Sequence, residues 1–223
     1  DLSEHLLAML FMLLKRMHQY RDNQAKSLWR DMGTVRSVED LTVLILGMGD
    51  IGGEFARKVK GLGACVIGVR RKNADKPPYA DEVYAGVSTA ELDALLKRAD
   101  VVTLVMPNTG ETRGLMDRER ISHMKKGAIL LNVGRGNAVD TEALADAVER
   151  GDVLCGLDVT DPEPLPETHR LWRMEGALIT PHVSGFFHLK QTHDNMVEIA
   201  AKNISHLIAG EAFENVVDLK TGY

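Results

Sequence analysis

The stretch Leu41-Thr42-Val43-Leu44-Ile45-Leu46-Gly47-Met48-Gly49-Asp50-Ile51-Gly52 decides the fold. Val43 to Leu46 are uninterrupted apolar residues, and Glu54 to Val59 resume a helical pattern, so the segment reads as a buried strand, a tight glycine turn and a helix. In that reading Gly47 closes the turn, Gly49 leaves room for a pyrophosphate against the backbone, and Gly52 lets the helix pack close to the strand. Asp50 and Ile51 lie at the helix start, where unpaired N–H groups and the helix dipole attract an anion. Asp50 itself places a negative charge beside that anion unless its side chain turns to solvent. A lone G-x-G-x-x-G also occurs in ordinary loops; here the strand before it and the helix after it supply the context that a dinucleotide site requires.

Working outward, strand and helix alternate. Strands are expected at Thr42–Leu46, Cys65–Val69, Glu82–Tyr84, Val101–Met106, Ala128–Val133, Val153–Leu157 and Leu178–Thr180. Helices are expected between them at Glu54–Leu62, Thr89–Arg98 with Thr89 as cap, Asp117–Met124 and Thr141–Arg150. Strands this apolar, separated by helices, indicate an α/β fold with a doubly wound parallel sheet covered on both faces. Ahead of this unit, Ser3 is the expected N-cap of a helix through about Met17, apolar nearly all round and so buried on more than one side. After it, one long helix is expected from about His188 to Ile208, followed by a tail with the apolar Val216 and Val217.

The bulk properties exclude several functions. A formal net charge of -5 argues against a general nucleic-acid binder, which carries a basic face. The longest apolar run, Leu6 to Leu14, is far short of the roughly 20 residues of a membrane-spanning helix. Acidic Asp1 and Glu4 stand where a secretory signal would be basic. Cys65 and Cys155 have no metal-ligand spacing and read as buried thiols of a reducing, cytoplasmic protein.

In a doubly wound sheet the ligand sits beyond the carboxyl ends of the strands, so the residues just after each strand carry the chemistry. After the second strand an acidic residue would accept the 2′-hydroxyl of an adenosine ribose, but this chain has Arg70-Arg71-Lys72 there. Two guanidinium groups suit a 2′-phosphate through charge-assisted hydrogen bonds and favour NADP(H) over NAD(H); a solvated basic loop is the alternative. Past the fifth strand, Arg135 stands between Gly134 and Gly136, placed to present a positive fork to a substrate carboxylate. Loops after the sixth and seventh strands supply Glu163 and His182. A carboxylate bonded to that imidazole would favour its protonated, proton-donating form.

Taken in order, Gly47-x-Gly49-x-x-Gly52, Glu111-Thr112-Arg113-Gly114-Leu115, Asn132-Val133-Gly134-Arg135-Gly136, Leu157-Asp158-Val159 with Glu163-Pro164-Leu165-Pro166, Thr180-Pro181-His182 and Asn215-Val216-Val217 closely resemble the D-isomer-specific 2-hydroxyacid dehydrogenases. The resemblance implies Arg135 as substrate-binding arginine, Glu163 as modulating glutamate and His182 as acid/base. It implies dinucleotide contacts from Gly47, Gly49, Asp50, Ile51, Gly52, Arg70, Arg71, Pro107, Thr112, Val133 and Asp158, the last beside the nicotinamide. The implied reaction is hydride transfer between NADP(H) or NAD(H) and a small 2-oxoacid or D-2-hydroxyacid, in a homodimer.

On this resemblance residues 1–22 form a buried interface helix of the dinucleotide-binding domain, 23–184 the Rossmann domain itself, and 185–223 a return helix and tail toward a substrate domain. In the family, most of the substrate-facing domain precedes the opening helix, so a fragment or a natural truncation is expected. Two other functions remain open: a cofactor sensor or corepressor-like module on the same fold, and a truncated form that binds nucleotide without turnover.

Overall fold

The computed structural model describes residues 2–72, 75–185 and 190–217. Seven strands form one sheet in the order β3-β2-β1-β4-β5-β6-β7, with every neighbouring pair parallel. They are β1 (Thr42–Leu46), β2 (Cys65–Arg70), β3 (Glu82–Ala85), β4 (Val101–Leu104), β5 (Ala128–Asn132), β6 (Val153–Leu157) and β7 (Ala177–Ile179). The strand order reverses between β1 and β4, which is where a doubly wound sheet opens a crevice for a dinucleotide. Central strands are buried on both faces, and two apolar clusters cover them. One holds Leu44, Val102 and Leu130; the other holds Val43, Ile45 and Phe55.

The helices are α1 (Leu2–Leu14), α2 (Met17–Ala25), α3 (Asp50–Gly61), α4 (Thr89–Leu96), α5 (Arg118–His123), α6 (Thr141–Glu149) and α7 (Lys190–Ala209). Several boundaries differ from the expected ones for identifiable reasons. The opening helix already includes Leu2, so Ser3 is not its cap; Ser3 is buried and accepts a hydrogen bond from Lys58 Nζ. That helix also stops at Leu14 because Arg16 adopts a left-handed φ of 56°, and α2 begins just after it. Its burial is one-sided: Leu6, Met9, Leu10, Leu13 and Leu14 are buried within the chain while Phe11 stays exposed. The cap of α4 is Ser88, not Thr89, closed by a reciprocal capping box with Glu91.

The helix after the glycine turn, α3, starts at Asp50, four residues earlier than its apolar pattern begins. Gly49 is its N-cap, and no side chain caps it. The carboxylate of Asp50 lies in the first turn, where the helix dipole favours it, and the residue is exposed. Cys155 is fully buried and burial pushes its thiol up to about 12, whereas Cys65 is only half-buried. Within α7 Met196, Val197, Ile204, Leu207 and Ile208 are exposed. The expected helix start at His188 and the tail from residue 218 lie outside the described residues. Among the described residues no helix is long and apolar enough to cross a membrane.

Candidate functional site

A cavity of about 840 Å³ opens over the β1–α3 turn, lined by Gly47, Gly49, Asp50, Arg70, Arg71 and Pro107 together with neighbouring residues. A second cavity of about 410 Å³ shares Gly47, Arg70, Arg71 and Pro107 and continues to Val87 and Thr112. The three glycines divide the work by geometry. Gly47 has a φ of 97°, and a Cβ there would sit 2.5 Å from the Val105 carbonyl oxygen. At Gly52 a Cβ would collide with the Gly47 carbonyl oxygen, so only glycine lets the helix approach so closely. At Gly49 a Cβ would meet nothing within 4 Å: it points into open space over the turn. That open space, with an uncapped helix N-terminus beneath it, fits a pyrophosphate.

Arg70 is anchored at this turn, since its Nε donates to the Met48 carbonyl at 2.9 Å. Arg71 and Lys72 are exposed on the wall of the same cavity. Tyr79 also lines it, a residue that sequence reasoning passed over because it lies in the Pro77–Pro78 loop without a pattern of its own. Thr112 lines the second cavity, and its hydroxyl donates to the Pro107 carbonyl at 2.7 Å. Ile51, Gly52 and Val133 line neither cavity; Val133 is buried in the core.

On the other half of the sheet, β5 ends at the fully buried Asn132. Its Nδ2 donates to the Arg135 carbonyl at 3.0 Å and its Oδ1 accepts the Gly134 N–H at 3.0 Å. Both ends of the amide are therefore used in shaping the turn that exposes Arg135, whose Nη1 donates to the Gly134 carbonyl at 2.7 Å. Gly136 presses so tightly on the Thr160 backbone that no side chain fits. The turn after β5 is thereby locked to the loop after β6.

The loops after β6 and β7 bring Glu163 and His182 together, with Glu163 Oε1 2.5 Å from His182 Nδ1. His182 has a left-handed φ of 54°, a conformation that costs a non-glycine residue about 1–2 kcal/mol. Asp158 holds it there. Its carboxylate accepts the Val183 N–H at 2.9 Å, the Ser184 N–H at 3.0 Å and the Thr180 hydroxyl at 2.6 Å, while its carbonyl accepts the His182 N–H at 2.8 Å. Burial alone would raise the carboxyl's pKa, but the hydrogen bonds from Ser184, Thr180 and Val183 outweigh it and hold Asp158 below the ordinary aspartate range. At 1% exposure, Asp158 is a brace beneath the His182 loop. Arg135, Glu163 and His182 line neither of the two cavities; they stand at the carboxyl ends of β5, β6 and β7, across the switch point from Arg70 and Arg71.

Residues 7–184 match the family described as D-isomer specific 2-hydroxyacid dehydrogenase, NAD binding domain. The chain belongs to this family. It is 34% identical over 203 residues to a glyoxylate reductase of Korarchaeum cryptofilum, covering 89% of this chain and 58% of that protein. It is 30% identical over 224 residues to glyoxylate/hydroxypyruvate reductase A of Serratia proteamaculans, covering 100% of this chain and 69% of that one. Among solved structures, a D-isomer specific 2-hydroxyacid dehydrogenase from Xanthobacter autotrophicus in complex with NADPH and MES superposes with a TM-score of 0.86 at 30% identity, covering 100% of this chain and 88% of that one. An NADPH-dependent glyoxylate/hydroxypyruvate reductase from Sinorhizobium meliloti in complex with NADP and sulfate gives 0.85 at 28% identity, covering 100% and 69%. The chain thus spans about three fifths to two thirds of the two curated relatives. Its sheet is the nicotinamide-dinucleotide-binding domain of a D-2-hydroxyacid dehydrogenase family member.

Proposed function

We propose that this chain is the dinucleotide-binding part of an oxidoreductase that prefers NADP(H) and interconverts a small 2-oxoacid and its D-2-hydroxyacid. When bound, the nicotinamide supplies or takes the hydride. The chain's own groups do the rest. The N–H groups at the start of α3 and the space over Gly49 receive the pyrophosphate, and Arg70 and Arg71 receive the 2′-phosphate. Arg135 holds the substrate and polarises its carbonyl, a contribution that grows as charge develops on oxygen. His182 gives a proton to the forming alkoxide in reduction and takes it back in oxidation, with Glu163 on Nδ1 orienting the ring and stabilising its cationic form.

The observation that carries this reading is the 2.5 Å contact between His182 and Glu163, on the same sheet edge as the glycine turn. A cofactor sensor has no use for a proton-transfer pair backed by a buried carboxylate. The relatives' names support the oxoacid class, and the neighbours bound to NADPH or NADP support the phosphate preference. Two further readings belong to the same proposal. Trp29, Leu28 and Val35 are exposed ahead of β1, as suits a homodimer contact, and two cysteines without a disulfide suit a reducing cytoplasm.

The test compares NADPH and NADH oxidation with glyoxylate, hydroxypyruvate and phenylpyruvate. A higher kcat/KM with NADPH for at least one of them supports the proposal. Saturable NADPH binding with no turnover favours the binding-module alternative.

A further inference from the structure

The brace under His182 does not end at Asp158. Thr180 has one hydroxyl proton, and it is donated to Asp158 Oδ1 at 2.6 Å. Its oxygen is therefore an acceptor toward His5, whose Nε2 lies 3.0 Å away, which fixes the proton of that imidazole on Nε2. The same nitrogen is 3.7 Å from Asp158 Oδ1, so it also faces the carboxylate's negative charge. His5 lies on α1, 175 residues before Thr180, and the helix is seated against the same loop at a second point: a Cβ on Gly185 would lie 3.1 Å from Leu2 Cδ1. The His5 side chain is 22% exposed, at the margin where α1 meets the 180–185 segment.

We propose that His5 is a positioning residue for His182, acting through Thr180 and Asp158. The proposal rests on the reading of His182 as the proton-transfer group. With the His5 donor in place, Thr180 has a partner for its lone pair and a fixed rotamer, and its proton stays on Asp158. Asp158 in turn keeps the Val183 and Ser184 N–H groups that bracket the left-handed turn at His182. Without that donor the Thr180 hydroxyl is free to rotate, Asp158 loses a partner, and the turn relaxes toward ordinary backbone. The opening helix is then part of the catalytic scaffold and not only a cover for the sheet.

The test uses the full chain with His5→Leu, which removes the donor, and His5→Gln, whose side-chain amide can restore a donor near Nε2. Amide hydrogen exchange at Val183 and Ser184 is expected to accelerate about fivefold in His5→Leu, the factor equivalent to one hydrogen bond of about 1 kcal/mol. Exchange in β1, β4 and β5 should stay unchanged, and His5→Gln should restore protection. The kcat for NADPH-dependent oxoacid reduction should follow the same order, with NADPH affinity constant. Unchanged exchange at Val183 and Ser184 in His5→Leu overturns the proposal, as does acceleration spread equally over the sheet or no recovery in His5→Gln. Exchange is read without turnover, so an inactive wild-type chain would count against the proposed reaction while exchange still decided the role of His5.

Discussion

Glu163 Oε1 and His182 Nδ1 lie 2.5 Å apart although their loops leave different strands. Two adjacent parallel strands, β6 and β7, end at the same edge, so loops that follow them meet there without any local sequence connection. The pair is partly open to solvent, at 41% and 32% exposure, which suits a proton donor that a substrate must reach.

Replacing Glu163 by Gln keeps the shape and removes the charge. A charge-assisted hydrogen bond is worth about 1.5–3 kcal/mol, and partial exposure discounts it, so kcat should fall roughly tenfold. The KM for NADPH should not move, since Glu163 does not line the cavity over the glycine turn. Steady-state kinetics with NADPH varied at saturating oxoacid reads both, and an unchanged kcat would detach Glu163 from the chemistry.

The basic end of the cavity makes a cofactor prediction. Arg70→Asp combined with Arg71→Ser removes two guanidinium groups and supplies a carboxylate for a ribose 2′-hydroxyl. NADPH affinity should drop by at least roughly 100-fold, as expected for two charge-assisted contacts, with NADH affinity held or improved. Nicotinamide fluorescence titration measures both; an unaltered preference would show that Arg70 and Arg71 do not select the phosphate.

Two glycines of one motif should respond in opposite ways. Gly52→Ala drives a methyl group onto the Gly47 carbonyl and should destabilise the fold by about 1–3 kcal/mol. Gly49→Ala meets no atom within 4 Å, so its Tm should stay near wild type while NADPH affinity falls, because the methyl group occupies the space for the pyrophosphate. Equal melting temperatures for the two variants would contradict this division.

The depressed pKa of Asp158 has a stability consequence with a definite sign. A carboxylate with a folded pKa below its unfolded value contributes stability that is complete above the unfolded value, about 3.9, and is lost as pH falls through the folded value. Asp158→Asn should therefore be less stable than wild type by a constant margin from neutral pH down to about 4, with the margin shrinking below that. Urea denaturation at several pH values measures it; a margin that widened on acidification would refute the assignment.

What could be read from residues alone was set by local pattern. Val43–Leu46 and Ala128–Leu131 are apolar runs that strands covered on both faces of a parallel sheet require, and the glycine spacing after β1 describes a local turn. The polar helix α2 has no buried residue and hence no apolar stripe to reveal it. Ser88 carried a readable signal, the Ser-x-x-Glu spacing of a capping box, one position before the residue expected to cap. Asp158 and His5 were different: their importance lies in hydrogen bonds to Thr180, Val183 and Ser184, contacts that exist only after β6, β7 and α1 have packed. Arg70 was legible as a cation at the end of β2, but its bond to the Met48 carbonyl depends on how β2 lies beside the turn.

The most direct measurement is made on His182→Asn, comparing NADPH affinity with the rate of NADPH-dependent oxoacid reduction in one preparation. If His182 transfers the proton at the edge shared with the glycine turn, affinity stays within about twofold of wild type while kcat falls roughly 100-fold or more. A variant that binds NADPH normally and reduces the oxoacid at the wild-type rate would contradict the account.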